Sequence, residues 1–377
     1  MLILAAVVAI FVYGMIAAML GTILPELSSR FQLSPRQNGT IAFAQAIGLM
    51  LASLAVGPLL DDVGKKAGLI LGLVLIALVL FALPRSTGFR SVVFLLFVLG
   101  MGGGIVVTGA NALTSDVGEA HRAVALNMVN LFFGLGGLAT PFISANLFKR
   151  DWIRLCYTVA GLTIITLIIQ TVVHMPPPTG AGRFIFSNAG PVLGRPLLFL
   201  LGAFLFLYVG CEVGVWNWLV RHLIAQGVPE SRALNILSLG FALGMLIGRV
   251  AVAPILTHVS PIQVTLGASI AMAIATFLML RVHKPFAAAA LVFLAGLSMA
   301  PVFPTTLAIT ANAFPNMTGT ALGIVITFGW AGLAVSSRII GSIAGGDPQR
   351  LRKALLVIPA SSVIMIALNL AIQSSLR

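Results

Sequence analysis

Twelve apolar runs follow one another down this chain, at about 2–27, 39–60, 67–84, 91–115, 123–147, 155–175, 197–220, 233–256, 262–280, 286–311, 318–345 and 354–373. A helix rises about 1.5 Å per residue, so a run of some 20 residues matches the roughly 30 Å of hydrocarbon in a bilayer. Connections such as Asp61–Lys66 and Arg281–Lys284 are too short to hold a folded domain. The expected fold class is therefore an all-α membrane protein of twelve transmembrane helices. Composition excludes the soluble alternative: 59% of residues are hydrophobic and 8% are charged, whereas soluble domains carry about 25% charged residues.

The formal charge of +13 comes from 22 Lys and Arg against 9 Asp and Glu. The basic residues stand singly or in pairs between apolar spans and form no stripe, so they read as membrane-edge anchors and no nucleic-acid partner is expected. Cys156 and Cys211 both lie inside apolar spans, which leaves neither a disulfide framework nor a metal cluster. The first run begins at Met1 without a basic segment before it and reads as the first span rather than a signal peptide. There is no His-Glu-x-x-His and no Gly-x-Ser-x-Gly, and the five histidines sit at span edges, so no catalytic residues and no enzyme are expected.

One run stands apart. Leu200 to Leu219 reads LLGAFLFLYVGCEVGVWNWL and carries a carboxylate, Glu212, near its middle. At the centre of a bilayer a lone charge costs at least roughly 2.5–3.5 kcal/mol, and an ionisable group there marks a functional site by default. Residues four apart share a helix face, so Tyr208, Glu212 and Trp216 form one stripe able to line a polar cavity, with Asn217 beside it.

The chain also aligns with itself, as a duplicated fold should. At an offset of 196, Ala46–Leu60 lies over Ala242–Leu256 with six identities in fifteen pairs. The same offset pairs Phe97, Gly100 and Val106 with Phe293, Gly296 and Val302, and Ala125, Leu126, Val129, Phe132 and Gly136 with Ala321, Leu322, Val325, Phe328 and Gly332. Residues 1–175 and 196–377 are expected to form two six-helix bundles, joined by a Pro-, Gly- and Ser-rich linker at 176–195. Such a parallel six-plus-six repeat is the architecture of major facilitator transporters.

After the second span stands Gly57-Pro58-Leu59-Leu60-Asp61-Asp62-Val63-Gly64-Lys65-Lys66, which resembles the major facilitator signature in that loop. Gly57 permits close helix approach, Asp61 can cap a helix end or pair with a basic group, and Lys65 and Lys66 hold the membrane edge. Tyr208–Glu212 with Trp216, Ala300–Thr305, and Ala125–Asn127 through Phe132–Gly136 look like the fucose–galactose–glucose:proton symporter family within that superfamily, and Gly248-Arg249 fits it too. The resemblance implies the major facilitator fold, alternating access with 1–175 rocking against 196–377, and a monosaccharide substrate. It also implies an integral multi-pass protein, expected as a monomer in lipid of a bacterial inner membrane.

Coupling ions in the family are protons or sodium, and no other cofactor is implied. Proton-coupled members tend to carry carboxylates at positions that here are Gly21 and Val107. If protons drive transport, Glu212 is the carrier; otherwise the protein is a uniporter or uses sodium. Gln45, Asn111, Asn127 and Asn130 offer the amide donors and acceptors a polyol needs, and Trp216 and Trp330 can stack on a sugar ring. The same amides can instead only bridge helices. Arg249 and Arg338 are the two basic residues embedded in spans, and Arg249 lies toward the end of its span, where snorkelling gives it a gating or structural role; an anion carrier, which stays open as an alternative, would need such arginines at mid-depth on facing helices. An exporter of amphipathic drugs or lipids is the alternative within transport.

Odd-numbered connections hold fourteen Lys and Arg against six in the even connections and the C-terminus. By the positive-inside rule the odd face is cytoplasmic, yet the signature after the second span resembles one that faces the cytoplasm. The motif sits within a likeness that spans the whole chain, so it takes precedence. Reporter fusions at Lys65 and Arg150 are expected to place Lys65 in the cytoplasm and Arg150 outside; the opposite readout would restore the charge rule.

Overall fold

The computed structural model describes residues 1–178, 190–282, 285–345 and 348–376. Its membrane-spanning helices are α1 Leu2–Phe31, α2 Arg36–Asp62, α3 Lys65–Arg85, α4 Phe89–Val117, α5 Glu119–Leu147, α6 Trp152–Val172, α7 Pro196–Ala225, α8 Glu230–Ile255, α9 Pro261–Met279, α10 Phe286–Ala313, α11 Pro315–Ala344 and α12 Arg350–Ser375. No strand occurs among the described residues. The only backbone a bilayer tolerates against lipid is one whose N–H and C=O groups are satisfied within the segment, which the helix achieves. Local sequence sets the starts. Ser34 accepts from the Gln37 amide, the Gln37 side chain accepts from the Ser34 amide, and Pro35 follows the cap, closing a capping box at the head of α2.

Several helices run past the apolar runs that signalled them, α7 reaching Ala225 and α1 reaching Phe31, because amphipathic turns at the interface extend a helix without adding apolar residues. Most of the expected linker, 179–189, lies outside the described residues.

The contacts group into two compact units. Unit 1 comprises Met1–Ala120, Val129–Val192 and Phe314–Thr327; unit 2 comprises His121–Met128, Leu193–Ala313 and Phe328–Arg377. Each unit thus takes one short helical piece from the other half of the sequence.

The duplication seen in the sequence is repeated in the packing. In unit 1 a Cβ on Gly100 would collide with the Gln45 carbonyl and one on Gly48 with the Phe97 carbonyl, so α2 and α4 meet backbone to backbone. In unit 2 Gly296 abuts the Phe241 carbonyl and Gly244 the Phe293 carbonyl, joining α8 to α10 in the same way. Gly100 and Gly296, Gly48 and Gly244, and the carbonyls they face are all related by the offset of 196. In lipid, where the solvent is as apolar as the side chains, such close small-residue contacts are what hold helices together.

Gly100→Val and Gly296→Val are each expected to destabilise the protein by about 1–3 kcal/mol or more, the range for overpacking. Gly21→Ala should be neutral, because nothing lies within 4 Å of its added Cβ. Thermal unfolding of the purified variants checks both.

Candidate functional site

The stripe of α7 lies against α8 inside unit 2. The rings of Trp216 and Phe241 meet edge to face, centroids 5.2 Å apart at 82°. Two consecutive spans run antiparallel, so moving four residues down one helix moves four residues up the other. Beyond the Trp216–Phe241 contact, Arg249 of α8 lies within electrostatic reach of Tyr208 and Glu212 of α7. Tyr208 is about 18 Å along α7 from Pro196, close to mid-membrane.

Arg249 is buried, 5% exposed, and its guanidinium interacts electrostatically with both Glu212 and Tyr208. It stands six residues before Ile255, the end of α8. Glu212 is half-buried on the same helix face as Tyr208 and Trp216, both of which interact with its carboxylate. The charge that looked solitary in the sequence thus has a cation beside it.

Three further expected site residues carry an unsatisfied buried atom. The Tyr208 hydroxyl, the Trp330 indole N–H and the Asn127 side-chain oxygen are buried without a well-formed hydrogen bond. Such atoms are uncommon in native proteins, and each calls for an explanation such as a ligand. All three residues belong to unit 2. Asn217 is exposed beside Trp216.

The remaining amides divide between the units. In unit 1 the Asn130 amide donates to the Asn111 side-chain oxygen at 2.7 Å, and the Asn111 amide donates to the Val107 carbonyl at 2.7 Å, bridging α4 and α5. In unit 2 the Asn127 amide donates to the Ala123 carbonyl and, at 3.1 Å, to the Thr305 hydroxyl of α10. Nearer the helix ends Arg122 donates to the Asn312 side-chain oxygen at 2.7 Å, which ties α5 to α10 a second time. Gln45 is half-buried on α2, where its carbonyl faces Gly100.

The signature after α2 forms a separate contact inside unit 1. Ser53, Gly57 and Asp61 share one face of α2, and that face receives the first turns of α11. The Asp61 carboxylate accepts from the Gly319 and Thr320 amides and from the Thr320 hydroxyl, each at 2.8 Å. It thereby caps a helix N-terminus from another helix, where backbone N–H groups and the helix dipole both favour an anion. Gly57 makes this possible: a Cβ there would stand 2.6 Å from the Thr320 Cα. Lys65 is buried and bonds Asp116 at 2.9 Å, with Asp61 at 3.9 Å. Lys66 donates to the Thr171 and Val173 carbonyls at the end of α6. Sequence reasoning missed Asp116, Gly319 and Thr320; the last two sit just after Pro315, a helix-start signal that could have marked them.

Among the described residues no group of three or more His, Cys, Asp or Glu could hold a metal ion.

Twelve long apolar helices with polar side chains buried between them define a polytopic membrane protein. A family profile, the Major Facilitator Superfamily, matches residues 6–337. The chain belongs to that superfamily and is a transporter, not an enzyme. It is similar to the glucose/galactose transporter of Brucella abortus, 27% identical over 246 residues, which is 60% of each protein. That match therefore spans about three fifths of the relative's length. The gentisate transporter of Corynebacterium glutamicum is 26% identical over 344 residues, 85% of this chain and 76% of that protein. In fold the chain is similar to a point variant of the Escherichia coli fucose:proton symporter FucP, with a TM-score of 0.84, 17% identity and 98% of each chain covered.

Asp61→Asn should weaken the α2–α11 contact by about 1–3 kcal/mol, the cost of hydrogen bonds to a charged acceptor. Faster amide hydrogen exchange at Gly319 and Thr320, with α9 unchanged, is the expected outcome; unaltered exchange there would show that the cap contributes nothing.

Proposed function

We propose that this protein is a secondary transporter that moves a small polar solute of the monosaccharide class by alternating access. The observation that carries this reading is the face of α7 in unit 2 that bears Tyr208, Glu212 and Trp216 within electrostatic reach of the buried Arg249, with unsatisfied polar atoms on Tyr208, Asn127 and Trp330. Hydroxyl-rich solutes satisfy such donors and acceptors and stack on tryptophan, whereas a drug or lipid exporter would need an apolar cavity. The likeness to a glucose/galactose transporter supports the same class.

In this reading Glu212 is the proton site, Asp61 and Lys65 belong to the latch that opens and closes, and residues 1–175 and 196–377 rock against each other. The chain would act as a monomer in a bacterial inner membrane. Asn111 and Asn130, bonded to each other, support a role in holding α4 on α5, with Gln45 and Asn217 as outlying contacts.

Counterflow in proteoliposomes, with labelled aldohexoses and their deoxy and oxidised derivatives, at two pH values and with or without sodium, tests the class. At least one member should exchange saturably; no exchange of any member would overturn the reading. Glu212→Gln should abolish accumulation driven by a pH gradient, and accumulation equal to wild type would remove Glu212 from the proton path.

A further inference from the structure

We propose that a polar groove in unit 1, between the last turns of α1 and the first turn of α2, is a second solute-binding site. It takes a neutral, hydroxyl-rich molecule through hydrogen-bond acceptors on Gly21 and Asn38. This rests on the reading above that the solute belongs to the monosaccharide class.

Gly21, Leu24, Pro25, Ser28 and Ser29 of α1 line the groove together with Asn38 of α2, and its volume is about 450 Å³. Small-molecule sites run from about 300 to 1,000 Å³, so a single sugar ring has room. Spacings of three and four residues put the five α1 positions on one helix face, and Gly21, Pro25 and Ser29 are exposed along it. Exposed positions elsewhere in unit 1 carry large apolar side chains such as Leu78, Phe94 and Ile165, which suit lipid. This stripe carries none and suits water. It runs from the end of α1 at Phe31 about 15 Å inward to Gly21.

The hydrogen bonds around the groove leave acceptors over. The Ser28 hydroxyl gives its one proton to the Leu33 carbonyl at 3.3 Å, so Asn38 can turn only its Nδ2 donor toward Ser28, at 3.0 Å. The Asn38 side-chain oxygen is left buried without a hydrogen-bond partner, a condition that calls for a ligand. The capping box at Ser34 fixes the turn that carries this amide, and the soft terminal torsion of Asn lets a small rotation bring the oxygen to a donor. On α1, Pro25 has no N–H to give to the Gly21 carbonyl, its ordinary helical acceptor. Both walls thus offer a carbonyl-type acceptor, and Ser29 adds a hydroxyl. The lining holds no carboxylate for a cation, Glu26 lying outside it, and no basic group for an anion. The fitting donor is a neutral hydroxyl, and a sugar presents several on adjacent carbons.

The test uses the full chain with labelled galactose, glucose, mannose and fucose as probes, read by saturation binding in phosphatidylcholine nanodiscs and by uptake rate against concentration in vesicles. For a probe that exchanges, the wild type should show two classes of binding site. Gly21→Leu fills the groove, and because nothing lies within 4 Å of its Cβ it should leave thermal unfolding unchanged. It should remove one class of site and raise the KM of uptake about two- to tenfold, the weight of a hydrogen bond, with the maximal rate within about twofold of wild type. Asn38→Leu should do the same. Gly39→Leu, equally unhindered but outside the lining, should match wild type. Two classes that fall to one in phosphatidylglycerol nanodiscs would assign the groove to the glycerol headgroup of that lipid and overturn its role for solute. A probe that exchanges while Gly21→Leu and Asn38→Leu bind and transport as wild type overturns this inference and leaves the proposed class standing. Exchange of no probe overturns both.

Discussion

The hydrocarbon interior penalises any charge that lacks a partner, and the arrangement of polar groups in this protein follows from that penalty. Glu212 lies within electrostatic reach of Arg249. Asp61 is surrounded by the amides at the start of α11, and Lys65 lies between Asp61 and Asp116. Removing one member of a buried pair costs about 3–5 kcal/mol, a large part of the roughly 5–15 kcal/mol that holds a typical domain together.

The second constraint is that lipid offers helices no hydrophobic reason to associate. Backbone contact through glycine supplies the attraction, and it occurs twice in matching form, at Gly48 with Gly100 and at Gly244 with Gly296. The symmetry ends where chemistry begins. The residue equivalent to Asp61 by the internal repeat is Thr257, whose hydroxyl bonds the Pro254 carbonyl three residues back. Where unit 1 has a carboxylate capping α11, unit 2 joins α5 to α10 through Arg122–Asn312 and Asn127–Thr305. One scaffold, duplicated, carries two different closures.

These closures also explain why the compact units are not plain halves of the chain. The first turns of α11 pack on α2 through Asp61 and Gly57, so Phe314–Thr327 clusters with unit 1. The first turns of α5 pack on α10, so His121–Met128 clusters with unit 2. The contacts are short-range and directional.

The sequence by itself determined the number of spans, the repeat and the helix faces, because length against bilayer thickness, a fixed offset and the 3.6-residue helical period are properties of the chain alone. It also marked Glu212 as costly and Gly57 and Asp61 as a contact. Only the tertiary structure decided what those residues meet. Arg249, separate from Glu212 in sequence by a whole connection, comes within its electrostatic reach only in the fold. Asn111 is spent on Asn130, and Asp61 on Gly319 and Thr320, 258 and 259 residues away. Which side chains pair across helices depends on depth and rotation in the bilayer, and no local pattern along one helix encodes either.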